Sequence, residues 1–190
     1  ARDEMAAAGA VDIAPTALLS DDVEISGPFP VTIGPDCILG PKCAVRATKG
    51  PVRLGAGNIV EELATIENAF DGDEPVELVI GSRNLLQVGC TVKALAVGDN
   101  NLFEVRSLAG PSTRIGSNCV VGATANLRPG TELSDDSVAF RADTADPPVQ
   151  VRQRPSAGAT SRDLIDQYHA ALRDPSKISM AKTFKHRPST

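Results

Sequence analysis

Ile80-Gly-Ser-Arg-Asn-Leu-Leu-Gln-Val-Gly-Cys-Thr-Val92 decides the fold of this chain. Ile80, Leu86 and Val92 stand six residues apart, and the spacing returns at Ile115, Val121 and Leu127. Working outward, the same step joins Ile13, Leu19 and Ile25; then, after two extra residues, Ile33, Leu39 and Val45; then, after three, Leu54, Val60 and Ile66. Eight extra residues precede Ile80. Past Val92 the next group, Val97, Phe103 and Ala109, starts one residue early, and Leu133 and Ala139 close the series. Of these 20 positions, 17 hold Ile, Leu or Val, against roughly four expected from 42 such residues in 190, so the period belongs to the chain and not to the choice of phase.

A second pattern runs in step with the first. Four residues after most anchors the side chain is small or Asn, as at Cys37, Asn58, Ala64, Asn84, Cys90, Ala96, Asn101, Ser107, Cys119 and Ala125. Phe29, Lys49 and Phe70 break the rule, and each immediately precedes a break in the period. Gly follows the anchor at eight places, among them Gly34, Gly81 and Gly98, which predicts a corner with unusual φ there. The physical reading is an all-β, three-sided coil. Each hexapeptide is a short strand plus a corner, three make a turn, and coils stack at about 4.8 Å. About seven coils are predicted over 11–145, after an N-terminal extension, 1–10.

The columns assign individual residues. Asn58, Asn84 and Asn101 fall at one place in successive coils, where stacked amides can form a ladder. Cys43 and Cys90 share a column two coils apart, about 10 Å, too far for a disulfide, which needs Cα atoms within about 7 Å. Four reduced, buried cysteines are predicted.

The longest break contains Asn68-Ala-Phe-Asp-Gly-Asp-Glu-Pro-Val-Glu77. Phe70, Asp71, Asp73 and Glu74 in this acidic loop are candidate partner contacts. A polar linker is expected over 146–159, then an α-helix over 160–174. Leu164, Ile165, Tyr168 and Leu172 line one face of that helix and are further candidate contacts. Thr160 or Ser161 can cap it, and Pro175 lies just beyond. The basic tail 175–190 carries no periodic pattern.

Composition bounds the function. A net charge of −5 argues against nucleic acid as partner. No apolar run of membrane-spanning length occurs. The first residues lack a signal-peptide core, which favours a reducing compartment. The two His, His169 and His186, lie beyond the repeat, so no in-coil imidazole is available as base or zinc ligand. Carboxylate chemistry leaves Glu61, Glu62, Glu67 and Glu104 as candidates. No catalytic, metal or cofactor residue is assigned.

Several segments are more specific than the hexapeptide itself: Val11-Asp-Ile-Ala-Pro-Thr-Ala17, Leu54-Gly-Ala-Gly-Asn-Ile-Val-Glu-Glu62, Val97-Gly-Asp-Asn-Asn-Leu-Phe-Glu-Val105 and Ile115-Gly-Ser-Asn-Cys-Val-Val-Gly-Ala123, with the quoted stretch from Ile80. A Gly-x-x-Asn followed by Glu or Gln in three successive coils, with the long break before Ile80, resembles the dynactin subunit 6 family over about residues 11–144. The resemblance implies a left-handed parallel β-helix without catalysis. It further implies pairing with dynactin subunit 5, beside the actin-related protein and capping subunit of the dynactin pointed end. Its setting would be the cytoplasm and cytoskeleton, in dynein-driven, microtubule-based transport with cargo-adaptor engagement. The alternative is a degenerate hexapeptide-repeat enzyme, an acyltransferase or a γ-carbonic-anhydrase-like protein.

Overall fold

A computed structural model describes residues 9–142 and 149–153, together with 170, 184 and 185. The first coil is β1 (Val11–Ile13), β2 (Leu18–Ser20) and β3 (Glu24–Ser26). The second is β4 (Val31–Ile33), β5 (Ile38–Leu39) and β6 (Ala44–Arg46), and the third is β7 (Val52–Leu54), β8 (Ile59–Val60) and β9 (Thr65–Glu67). Then come β10 (Leu78–Ile80), β11 (Leu85–Leu86) and β12 (Thr91–Val92), followed by β13 (Ala96–Val97), β14 (Leu102–Phe103) and β15 (Leu108–Ala109). The sixth coil is β16 (Arg114–Ile115), β17 (Val120–Val121) and β18 (Asn126–Leu127). The last, incomplete coil holds β19 (Glu132–Leu133) and β20 (Ser137–Arg141).

Every third strand pairs in parallel, which makes three faces. Face A is β1-β4-β7-β10-β13-β16-β19, face B runs from β2 to β20, and face C from β3 to β18. The all-β coil predicted from the period is therefore the observed fold, at just under seven turns. Among the described residues two further strands extend face B. They are β21 (Val149–Gln153), antiparallel to β20, and β22 (Phe184–Lys185), antiparallel to β2. Part of the expected linker is thus strand, because the last coil leaves an edge of unpaired backbone groups that a neighbouring segment can satisfy. Of the helix expected over 160–174 only Ala170 is described, in helical conformation; Leu164, Ile165, Tyr168 and Leu172 lie outside the described residues.

All irregularity sits at one corner. Val11 faces Val31, Val31 faces Val52 and Val52 faces Leu78, steps of 20, 21 and 26 residues. Afterwards Val79 faces Ala96, Ala96 faces Arg114 and Arg114 faces Glu132, steps of 17, 18 and 18. Within each coil the passages from A to B and from B to C keep the six-residue step, so every break lies between faces C and A.

The interior is a stack of three-residue layers. Ile80, Leu86 and Val92 fill one layer, each at most 1% exposed. In the next, Phe103 is buried against a small Ala109. The three inward side chains of a layer share one cross-section, so a large ring on one face calls for a small residue on another. That explains why the aliphatic rule lapses at those two positions.

Two expectations change. The glycines after the anchors do not adopt unusual φ. The left-handed conformation falls two residues later, at Asp36, Lys42, Arg83, Asn100, Ser112 and Asn118 among others, with φ of 54° to 60°. These glycines are required by close approach instead. A Cβ on Gly98 would stand 2.7 Å from the carbonyl oxygen of Gly116, and one on Gly81 would stand 2.7 Å from that of Gly98. At the short corner after Val92 the buried residue is Ala94, whereas Ala96 is half-buried in β13. The coil is one residue short there, and pairing with Val79 and Arg114 draws Ala96 into the strand.

Candidate functional site

The motif Gly-x-x-Asn-x-x-Glu can now be read atom by atom. Its Asn residues form a buried column at the corner between faces A and B, and Asn58, Asn84 and Asn101 are all fully buried. Asn84 donates its backbone N–H and its Nδ2 to Asn58 Oδ1, at 2.9 and 3.0 Å. Asn101 N–H donates to Asn84 Oδ1 at 2.9 Å, and Cys119 N–H to Asn101 Oδ1 at 2.7 Å. Below, Asn58 Nδ2 reaches the carbonyls of Gly55 and Gly81, and Cys37 Sγ donates to Gly55 O. Each amide thus satisfies a backbone N–H that a corner leaves unpaired. The column ends in Cys at both ends, where a thiol replaces the amide.

The residue two after the anchor forms a parallel row at the surface. Ser82 N–H donates to Asp99 Oδ1, Asp99 N–H to Ser117 Oγ, and Ser117 N–H to Asp135 Oδ1. This row was not read from the sequence, although the repeated Ser or Asp could have marked it.

Three of the four candidate carboxylates hold the coil in place. Glu61 Oε2 accepts the N–H of Val88 at 3.0 Å, and Glu104 Oε2 that of Ala123 at 2.8 Å. Glu67 pairs with Lys93 at 3.0 Å on face C, and Glu62 is exposed. The arrangement brings no two of these four together with a nucleophile. Among the described residues no group of three or more His, Cys, Asp or Glu is arranged to hold a metal ion. His169 and His186 lie outside the described residues.

In the long loop Phe70 is half-buried, and its ring lies over Gly72, where an added Cβ would come within 2.4 Å of it. Asp71, Asp73 and Glu74 are exposed, and Asp71 meets Lys49 at 3.1 Å. The neck is held by Asn68, 1% exposed, which donates Nδ2 to the carbonyls of Pro51 and Val76 at 2.9 and 2.7 Å. Asn68 escaped the sequence reading because it stands two residues after an anchor, outside both columns.

No family model matches this chain. Dynactin subunit 6 of Xenopus tropicalis is 36% identical over 142 residues, 71% of this chain and 70% of that protein. That of Danio rerio is 34% identical over 138 residues, 68% of this chain and 70% of that protein. The chain belongs to the dynactin subunit 6 family. A more distant relative is the acyl-[acyl-carrier-protein]–UDP-N-acetylglucosamine O-acyltransferase of Saccharophagus degradans, 27% identical over 56% of this chain and 46% of that enzyme. Among solved structures, a hexapeptide transferase family protein from Anaplasma phagocytophilum superposes with a TM-score of 0.69 at 14% identity, covering 86% of this chain and 91% of that one. This likeness concerns the fold, a left-handed β-helix of hexapeptide repeats.

In this dynactin subunit 6 family member the Asn column is the feature most open to test. In Asn84→Val the backbone N–H of Asn101 loses its acceptor, and Asn58 Oδ1 loses one of two donors. An orphaned buried group costs about 1–3 kcal/mol, and the expected loss in urea denaturation is near the top of that range. An unchanged midpoint would mean that water reaches the column.

All four cysteines are buried thiols. Burial pushes the thiols of Cys37, Cys43 and Cys90 up, Cys43 to about 12. None of the four is expected to react with DTNB in the folded chain at pH 8, and all should react once denaturant is added. Rapid reaction of any one in the folded state would place it at the surface.

Proposed function

We propose that this chain is a non-catalytic scaffold subunit of the dynactin pointed-end complex. It pairs with dynactin subunit 5, beside the actin-related protein and the capping subunit of the filament end. In that place it supports engagement of cargo adaptors by dynein and dynactin in the cytoplasm. The observation that carries this reading is 36% identity to a dynactin subunit 6 across 70% of that protein. The build of the molecule supports it. Flat, hydrogen-bonded faces offer rigid contact area, and a standard interface needs only about 800 Å² from each partner. Glu61, Glu67 and Glu104, the carboxylates that acid–base work would need, are engaged in holding coils and faces together. The acidic loop, with Asp71, Asp73 and Glu74 exposed, is the proposed contact outside the flat faces.

The test is affinity purification of the full chain from native extract with mass spectrometry, followed by mass measurement of the chain mixed with purified dynactin subunit 5. Co-purification of dynactin subunits and a one-to-one complex are expected. A stable homotrimer indifferent to subunit 5 would overturn the reading. The acyltransferase relative favours a second reading, a hexapeptide-repeat enzyme, and robust acyl transfer or zinc-dependent CO₂ hydration by the pure chain would establish it instead.

A further inference from the structure

The corner between faces B and C carries an apolar row that the coil itself does not call for. The corner between faces A and B serves as a control. There the second residue after the anchor is Ser82, Asp99, Ser117 and Asp135 in successive coils, each of the last three accepting the N–H of the one before. At the corner between faces B and C the same position holds Val88, Val105 and Ala123. Val88 and Val105 remain 39% and 41% exposed. The third residue after the anchor is the left-handed one. Among the described residues ten non-glycine residues stand at positive φ, and nine of them are polar or charged. Leu63, with φ of 60°, is the tenth, and at 53% it is the most exposed large apolar side chain among the described residues. A left-handed backbone strains a branched aliphatic residue, and water around it adds a hydrophobic penalty. Leu63 N–H donates to Pro41 O at 3.1 Å, a bond that Asn or Gly would make as well. The coil gains nothing from a leucine there.

The three side chains are neighbours. Gly89 N–H donates to Glu62 O at 3.0 Å and Arg106 N–H to Val88 O at 3.1 Å, so residues 62–63, 88–89 and 105–106 stack coil upon coil. The row rises about 10 Å, two strand spacings. On the side of face C it continues into Thr65, Thr91 and Leu108, which are half-buried and uncharged. Lone exposed aliphatics are ordinary on a protein surface, whereas a contiguous strip marks a contact site. Charge frames the strip. Glu62 beside Leu63 and Arg106 beside Val105 are exposed, and neither forms an ion pair among the described residues. Glu61 and Glu104 already accept backbone N–H groups. The fitting partner therefore presents an aliphatic strip with a base toward Glu62 and an acid toward Arg106. A second copy of this chain fits poorly. An isologous pair would set convex corner against convex corner, which buries far less than the ~800 Å² that each side of a standard interface needs.

We propose that this corner, centred on Leu63, Val88 and Val105, is the surface on which the chain pairs with dynactin subunit 5. The inference rests on the pairing proposed above and adds its location. A permanent pairing buries more aliphatic surface than a transient contact does. That assigns the uncharged strip, and not the acidic loop, to the pairing subunit.

The test measures binding of purified subunit 5 to the full chain and to three variants, with circular dichroism and melting recorded for each. The wild type is expected to bind. Leu63→Asn should weaken binding about tenfold, the effect of losing one buried leucine, and Arg106→Glu should weaken it by a similar factor. Leu63→Asn/Val88→Ser/Val105→Ser should weaken it on the order of a hundredfold or more. Leu63→Asn should melt no lower than the wild type, because Asn tolerates left-handed φ. Loss of binding without loss of stability separates a contact residue from a structural one. Wild-type affinity in the folded variants would overturn the surface and leave the pairing standing. A wild-type chain that does not bind subunit 5 would overturn the pairing and the surface with it. A lowered melting temperature in Leu63→Asn would show that the leucine serves the coil. A wild-type dimer, seen in sedimentation and dissociated by Leu63→Asn, would make a second copy the occupant; either result overturns the proposal.

Discussion

Between pH 9 and pH 12 the folded chain is expected to lose stability by about 1.4 kcal/mol per pH unit for each buried thiol that keeps its proton. Cys43 holds its proton to about 12, because burial penalises the thiolate and the Asp22 carboxylate adds to that penalty. Cys90 is raised for the same reasons, with Glu61 as the neighbouring charge, and Cys37 is raised chiefly by burial. In the unfolded chain these thiols ionise near their ordinary value of 9.0. Above that pH the unfolded state binds fewer protons than the folded state, so the slope of stability with pH is negative. Below it both states keep their thiol protons, and the full stabilisation is present. The loss therefore begins at the unfolded pKa and runs up to the folded one. Urea denaturation at pH 8, 9, 10 and 11 measures it. In Cys43→Ala/Cys90→Ala the slope should be shallower by about 2.8 kcal/mol per pH unit, twice the single-thiol value. Titration of Lys and Tyr is common to both proteins and cancels. An identical slope in the variant would assign the alkaline loss to other groups.

Phe103→Ala is expected to lower stability by about 3–5 kcal/mol. Phe103 is 1% exposed and stands above Leu86 and below Val121 on face B. Its layer already contains Ala109, so truncation leaves Val97 and two alanines to fill a cross-section sized for a ring. Collapse is restricted, because the coil is held on both sides by backbone hydrogen bonds, Gln87 N–H to Phe103 O and Glu104 N–H to Val121 O, at 2.8 and 2.9 Å. The loss should fall in the upper part of the range. The paired variant Phe103→Ala/Ala109→Phe keeps the layer volume and should recover part of it. A loss below about 1 kcal/mol for the single variant would mean that the stack relaxes freely, against the behaviour of close-packed interiors.

The candidate site was legible to different depths. The Asn column follows from counting, because a strict step of six repeated three times puts residues 58, 84 and 101 above one another once the insertion between faces C and A is allowed for. The reason Glu or Gln follows each of these Asn was not legible. That Glu61 and Glu104 receive backbone N–H groups of Val88 and Ala123 depends on atoms 27 and 19 residues away. Asn68 at the loop neck was missed for a similar cause, since its partners Pro51 and Val76 lie inside two different breaks that no period describes.

By itself, the sequence determined the all-β coil, the number of turns, which aliphatic side chains face inward, and the burial of the four cysteines. A repeat is nearly one-dimensional: each residue's position within a coil sets its face and direction, and every coil supplies the same neighbours. Only the tertiary structure decided the rest. Left-handed φ falls three residues after the anchor, and glycine stands directly after it because the next coil's carbonyl leaves no room for a Cβ. All breaks gather at one corner, Ala94 replaces Ala96 inside, and among the described residues face B is extended by antiparallel strands. These features arise where the chain departs from its own repeat, and there the outcome is set by which distant segment meets the backbone.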